Sequence, residues 1–254
     1  MASVRLFQDP LFAGRMVSVT GGFFSLIGLV LLSRELFKNF SIGLIAVVLY
    51  VISPFTLVYD RLALYDSWVA TFSIWNLYLA VLLARRVRLD IALLFGMMLG
   101  MGMLNKTSAF LSLYMLPATL LLFDWKRPKK MLRFALWVGY AIIAAVLSQA
   151  IYSILRLSPF FYIVSQKDAL FVYPFKEWLI HPFNFFQGNI HGLFDWLKGY
   201  ITWPLLATAW SAIIIPRKYT REKLLLIGWW VAPFIALFRI RLPLEPIHIL
   251  WVNL

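Results

Sequence analysis

Residues 58–67 read VYDRLALYDS and interrupt two runs, 40–58 and 67–84, that are otherwise almost wholly apolar. Each run is close to the roughly 17–25 residues that a helix needs to cross a hydrocarbon core. Asp60, Arg61 and Asp66 therefore stand at helix ends, in a short connection between two membrane spans. A second cluster, GMLNKTSAF at 102–110, puts Lys106 in the same setting. What these charges do depends on the path of the chain through the bilayer.

The rest of the 254-residue chain has the same character, with 62% apolar and 14% charged residues and a mean hydropathy of +0.82. A soluble domain carries about 25% charged residues, so the composition predicts an all-α, polytopic helical membrane protein. The 22 Phe, 11 Trp and 11 Tyr suit rings seated at membrane–water interfaces. With no cysteine, disulfides, thiol catalysis and Cys-ligated metals are excluded. The net charge of +13 resides in short clusters between apolar runs, the pattern of positive-inside topology and not of a nucleic-acid-binding surface.

Apolar runs predict about eight spans, at 15–34, 40–58, 67–84, 91–104, 107–123, 132–155, 201–216 and 224–239, in a single membrane domain covering 1–254. The connections SRELFKN (33–39), ARRVRLD (84–90), DWKRPKK (124–130) and PRKYTREK (216–223) are short and rich in Lys and Arg. The positive-inside rule places all four in the cytoplasm, so the other connections and both chain ends face outward. The run IALLFGMMLGMGML, 14 residues before Asn105 and Lys106, is short for a span. Its Gly96 and Gly100 form a G-x-x-x-G spacing that lets a helix pack backbone-close on a neighbour. The segment 156–200 mixes Trp and Phe with Lys, Glu, His and Asp, and Pro174, Pro182 and Gly188 break it. It reads as an outer cap of interfacial amphipathic helices.

The outward positions then collect the ionisable groups. Asp9, Arg15, Asp60, Arg61, Asp66, Lys106, Arg156, Lys167, Asp168, Lys176, Glu177, Asp195, Lys198, Arg239, Arg241 and Glu245 fall there, with His181, His191 and His248. Charges at membrane depth are costly, and such groups mark functional sites. Arg61 and Asp66, five residues apart, could equally form a structural loop clamp, and Arg15 and Lys106 could be headgroup anchors. Three cations at outer helix ends suit an anionic group such as a phosphate, the arginines with a bidentate fork and the lysine with a point charge. The H-x9-H-x3-D spacing of His181, His191 and Asp195 matches no compact metal signature, though His191 and Asp195 share a helix face.

Three stretches in order carry a resemblance: A-G-R-x-x-S at Ala13–Ser18, S-P-x6-R-x-A-L-x-D at Ser53–Asp66, and L-G-x-G-x-L-x-K at Leu99–Lys106. Together they resemble the dolichyl-phosphate-mannose–protein mannosyltransferase-like family, integral glycosyltransferases of the GT-C type that include lipid A aminoarabinose transferases. The resemblance runs over about residues 7–125. It implies transfer of a sugar from a polyprenyl-phosphate donor to a protein or lipid acceptor on the outer face of the cell membrane. It implies no resident cofactor and leaves a divalent metal undetermined. Arg15, Arg61 and Lys106 would face the donor phosphate, with Asp66 and Asp60 in support. The family's acidic base belongs to a first outer loop ahead of the matched stretches, so the base role is transferred to no residue here. On this reading the chain is a fragment lacking the first span and that loop. Two other readings use the same residues: a transporter or flippase of an amphiphilic anion, and a non-catalytic membrane scaffold.

Overall fold

A computed structural model describes residues 9–164, 166, 175–181, 183, 186–214 and 218–236. The expectations for Lys167, Asp168, Pro174, Pro182, Arg239, Arg241, Glu245 and His248 lie outside the described residues, as does the Glu177 side chain. Among the described residues the fold is all helix, with no strand. In chain order the helices are α1 (Pro10–Phe37), α2 (Phe40–Ile52), α3 (Pro54–Tyr59), α4 (Asp66–Arg86) and α5 (Leu89–Asn105). A broken stretch, Thr107–Leu122, follows. It contains the single-turn α6 (Leu111–Tyr114), and beyond it come α7 (Lys130–Tyr152), α8 (Phe175–Ile180), α9 (Phe186–Ile201), α10 (Trp203–Ile214) and α11 (Thr220–Ala236).

Three helical segments, Pro10–Phe37, Asp66–Arg86 and Lys130–Leu157, are long and apolar enough to cross a membrane unaided. The chain is a multi-pass helical membrane protein in which shorter apolar helices pack around these three. Two expected spans differ from a plain α-helix. The run 40–58 divides at Ser53, whose extended backbone (φ −63°, ψ 128°) precedes Pro54. The proline ring disfavours the helical conformation in the residue before it, so α2 stops and α3 restarts. The run 107–123 is 3-10 helix on both sides of α6. Pro117 lacks an N–H, and Thr119 returns its hydroxyl to the Leu116 carbonyl at 2.6 Å. A 3-10 segment rises about 2.0 Å per residue against about 1.5 Å for an α-helix, so the stretch gains depth for its length.

Small residues let the helices approach. A Cβ added at Gly96 would stand 2.8 Å from the Ala144 carbonyl oxygen, and one at Gly100 would stand 2.7 Å from Ile151 Cβ. The G-x-x-x-G spacing therefore does what it predicts, seating α5 on α7. Around this contact lies the larger core, with Leu83 and Leu79 of α4, Phe95 and Leu99 of α5, and Phe123, Trp137 and Ala144. Helices α1 and α4 are joined by polar contacts as well. Trp68 and Trp75 donate their indole N–H to the carbonyls of Val17 and Phe24, each at 3.0 Å. Buried Ser25 and Thr71 hydroxyls meet at 2.9 Å, and Thr71 reaches the Gly21 carbonyl at 2.7 Å. Polar groups in a lipid-embedded bundle turn inward to partners of this kind.

Charge separates to the two ends of the bundle. At one end Arg85 lies 2.9 Å from a Glu35 carboxylate oxygen, also donates to the Glu35 carbonyl, and lies 3.4 Å from Glu222. Lys38 and Arg86 add contacts to Glu35 at 2.9 and 3.3 Å, and Arg133 donates to the Arg85 carbonyl at 3.1 Å. This network ties α1, α4, α7 and α11 together where the basic connections converge. Burial pushes the Glu35 carboxyl up, but the hydrogen bonds from Lys38 and Arg85 outweigh it and hold the group below its ordinary range. The opposite end carries the N-terminus of α1, the 60–66 connection and Lys106.

Candidate functional site

The site is built where three helix ends meet. Helix α1 starts at Pro10, with the Asp9 side chain capping it through the Leu11 N–H at 2.8 Å. The 60–66 connection lies against the first turns of α1. A Cβ at Gly14 would be 2.8 Å from Ala63 Cβ, and the Ser18 hydroxyl donates to the Leu64 carbonyl at 2.9 Å. Helix α5 ends at Asn105, whose amide donates to the Tyr65 carbonyl at 3.3 Å. At Lys106 the backbone turns extended (φ −151°, ψ 122°), which breaks the helix and carries the lysine to the same connection.

There Lys106 Nζ stands 3.7 Å from an Asp66 carboxylate oxygen and 5.4 Å from the centre of the Tyr65 ring. Asp66 lies in the first turn of α4, where the helix dipole favours a negative charge. The pair is loose and partly open, the lysine side chain being 45% and the aspartate 27% exposed. A lysine carries three N–H donors, so an anion can approach Lys106 without displacing Asp66. Asp66 thus pairs with Lys106 from α5 and not with Arg61 in its own loop. Arg61 and Arg15 are both exposed, and neither makes an ion pair with a described residue. Gly14, the residue before Arg15, is in contact with the loop that holds Arg61, so the two cations belong to one end of the bundle.

Asp60 takes a different direction. Its carboxylate covers Gly22 of α1, so closely that a Cβ at 22 would come within 2.6 Å of it. The Tyr50 hydroxyl and the Ser25 hydroxyl face the same space. Asp60 is therefore packed against α1 and α2.

Two cavities flank the Lys106–Asp66 pair. One, of about 540 Å³, has Asp66 in its wall and is otherwise largely aromatic and aliphatic, with Phe55, Tyr59, Trp196 and Tyr200. Here Phe55 stacks on Tyr59 with centroids 4.4 Å apart, and the Tyr59 and Tyr200 hydroxyls lie 3.4 Å apart, joining α3 to α9. The other, of about 230 Å³, has Lys106 in its wall and runs inward between α4, the 107–122 stretch and α11. It is lined by Ser73, Asn76, Ser108, Ser112 and Trp229 among others. Asn76 is fully buried, and neither its amide nitrogen nor its oxygen has a hydrogen-bond partner.

Within the segment expected to form a cap, α9 is amphipathic, and His191 and Asp195 share a face as their spacing predicts, at 3.6 Å. A hydrogen bond from Lys198 holds the Asp195 carboxyl below its ordinary range. His181 does not join them: among the described residues no three of His, Asp and Glu gather in metal-binding geometry. Asn76 is the residue that sequence reasoning passed over. A lone amide in the apolar run 67–84 is itself a signal, since polar side chains within spans face the bundle interior or a cavity.

A protein-family model described as dolichyl-phosphate-mannose-protein mannosyltransferase matches residues 1–152 of the chain. No curated protein and no solved structure matches it.

Proposed function

The chain belongs to the dolichyl-phosphate-mannose-protein mannosyltransferase family, a family of glycosyltransferases, and on that premise we propose that its Lys106 end is the donor site of a polyprenyl-phosphate-dependent sugar transfer. The observation that carries this reading is the position of the Lys106–Asp66 pair between an aromatic cavity and a smaller one into which Ser73, Asn76, Ser108 and Ser112 bring polar groups. A polyprenyl-phospho-sugar has the same order of parts: an apolar tail, an anionic phosphate and a hydroxylated ring. The aromatic cavity beside Asp66 suits the tail, Lys106 suits the phosphate, and Arg15 and Arg61 add cations at the same bundle end.

In the transfer, the bond from the sugar C1 to the phosphate oxygen breaks and its electron pair leaves with the phosphate. A bond forms between C1 and the acceptor hydroxyl oxygen, of a protein or a lipid, and the hydroxyl proton passes to a base. Charge grows on the leaving phosphate, and a cation already held in place stabilises it most there. Asp66 orients Lys106, and Asp60 holds the loop. The base is assigned to neither, Asp66 because Lys106 engages it and Asp60 because it faces the packed surface of α1.

The site faces the non-cytoplasmic side in this reading, because the Arg- and Lys-rich connections converge at the opposite end. Charged residues also stay near helix ends throughout the described spans. A translocation path usually leaves ionisable groups near the midplane, which favours transfer over transport. The test is binding of polyprenyl phosphate to the chain in nanodiscs, compared with Lys106→Ala and Arg61→Ala. Loss of affinity in both variants supports the donor site; unchanged affinity leaves the cations as headgroup anchors.

A further inference from the structure

The cavity behind Lys106 contains a group whose hydrogen bonds the protein leaves unmade. Asn76 is 0% exposed, and both of its side-chain polar atoms are partnerless. A buried amide without partners is costly, because it gives up its hydrogen bonds to water and regains none. Buried Ser25, Thr71 and Thr119 have partners within 3 Å; Tyr50, Arg133 and Trp137 each leave one buried polar atom unpaired, but among the described residues Asn76 alone leaves both its donor and its acceptor unpaired. At Asn76 the unmet atoms belong to a side chain that lines a cavity of about 230 Å³. Ser73 lies one turn before it on α4, and Ser108 and Ser112 line the same space from the 107–122 stretch.

From this we infer that the Asn76 cavity is the sugar subsite of the donor, with the Asn76 amide hydrogen-bonding ring hydroxyls as a specificity-determining residue. The inference rests on the donor-site reading given above. Size supports one ring: a cavity of about 150 Å³ in a protein interior admits benzene, so this one admits a six-membered ring carrying hydroxyl groups. It is too small for a polyprenyl tail as well. Chemistry supports a sugar. An amide offers two donors and two acceptor lone pairs, and serine hydroxyls donate and accept, which matches groups that do both. Phe72 and Trp229 supply apolar wall for the C–H face of a pyranose. Position supports the donor's own sugar, because Lys106 lines the cavity. A phosphate at the lysine places C1 at the rim and the remaining ring inward. Lys106 and Asn76 both line this one cavity of about 230 Å³, so a single ring can meet both.

The test compares sugar-free polyprenyl phosphate with polyprenyl phosphates carrying mannose, glucose or 4-amino-4-deoxyarabinose, each bound to the full chain in nanodiscs. The parent binds at least one sugar-bearing lipid at least tenfold more tightly than the sugar-free lipid. Asn76→Leu abolishes that preference and leaves affinity for the sugar-free lipid unchanged, whereas Lys106→Ala weakens both. Ser112→Ala, a smaller change, reduces the preference without removing it and serves if the leucine variant does not fold. A sugar preference that survives both cavity variants overturns the inference and leaves the donor site standing. So does a parent that binds every lipid equally, which makes the cavity a water pocket only. A parent that binds none of the lipids overturns both readings.

Discussion

Lys106, at the break after α5, stands 3.7 Å from Asp66, the first residue of α4, and each lines a different cavity. The pair, made by residues forty positions apart, thus stands between an aromatic chamber and a smaller one that holds the Asn76 amide and three serines. A partly exposed pair of this kind contributes about 0–1 kcal/mol to stability, so it can be altered without unfolding the chain. Lys106→Ala is expected to weaken polyprenyl-phosphate binding at least tenfold, with a melting temperature in detergent within a few degrees of the parent. A large drop in melting temperature would mark the pair as structural instead.

Because the chain has no cysteine, single cysteines can report topology directly. Exposed Arg61 and exposed Lys126 lie in connections assigned to opposite faces. With a membrane-impermeant thiol reagent on intact cells, Arg61→Cys should label and Lys126→Cys should label only after permeabilisation. The reverse pattern would put the Lys106 end in the cytoplasm.

Packing of α5 on α7 leaves no room for side chains at Gly96 and Gly100, where an added Cβ would meet the Ala144 carbonyl and Ile151. Overpacking a close contact costs about 1–3 kcal/mol. Gly100→Leu should lower thermal stability by that order. Gly139→Ala, where nothing lies within 4 Å of the added atom, should change it little. Equal effects at both positions would contradict a close α5–α7 seam.

Glu35 supplies a pH dependence. Its carboxyl titrates below the ordinary value of 4.5, so its contribution is complete above that pH and declines as pH falls through the lower folded value. Stability in detergent should therefore decrease on acidification below about pH 4.5, and Glu35→Gln should flatten the decline. An unchanged acid limb in that variant would remove Glu35 from the account.

The helical class, the separation of charge to two bundle ends and the Gly96–Gly100 contact were all legible in the chain, because hydropathy and spacing act locally along it. The division at Ser53–Pro54 departs from the single span expected over 40–58, because the proline disfavours helix in the residue before it. Arg61, Asp66 and Lys106 could be named as candidates because charge next to apolar runs is conspicuous.

Which of them touch could not be read in that way. Only the fold brings Lys106 across from α5 to Asp66, leaves Arg61 exposed and turns Asp60 onto Gly22. Asn76 shows the difference most clearly. In the sequence it is one amide among apolar residues, whereas in the bundle it is a buried group with unmet hydrogen bonds beside a cavity. The sequence alone determined which segments are apolar enough for lipid and where charge interrupts them, since hydropathy is a property of each run of residues. Partners, cavities and unsatisfied groups were decided by the tertiary structure, because they depend on distances between segments that no local pattern encodes.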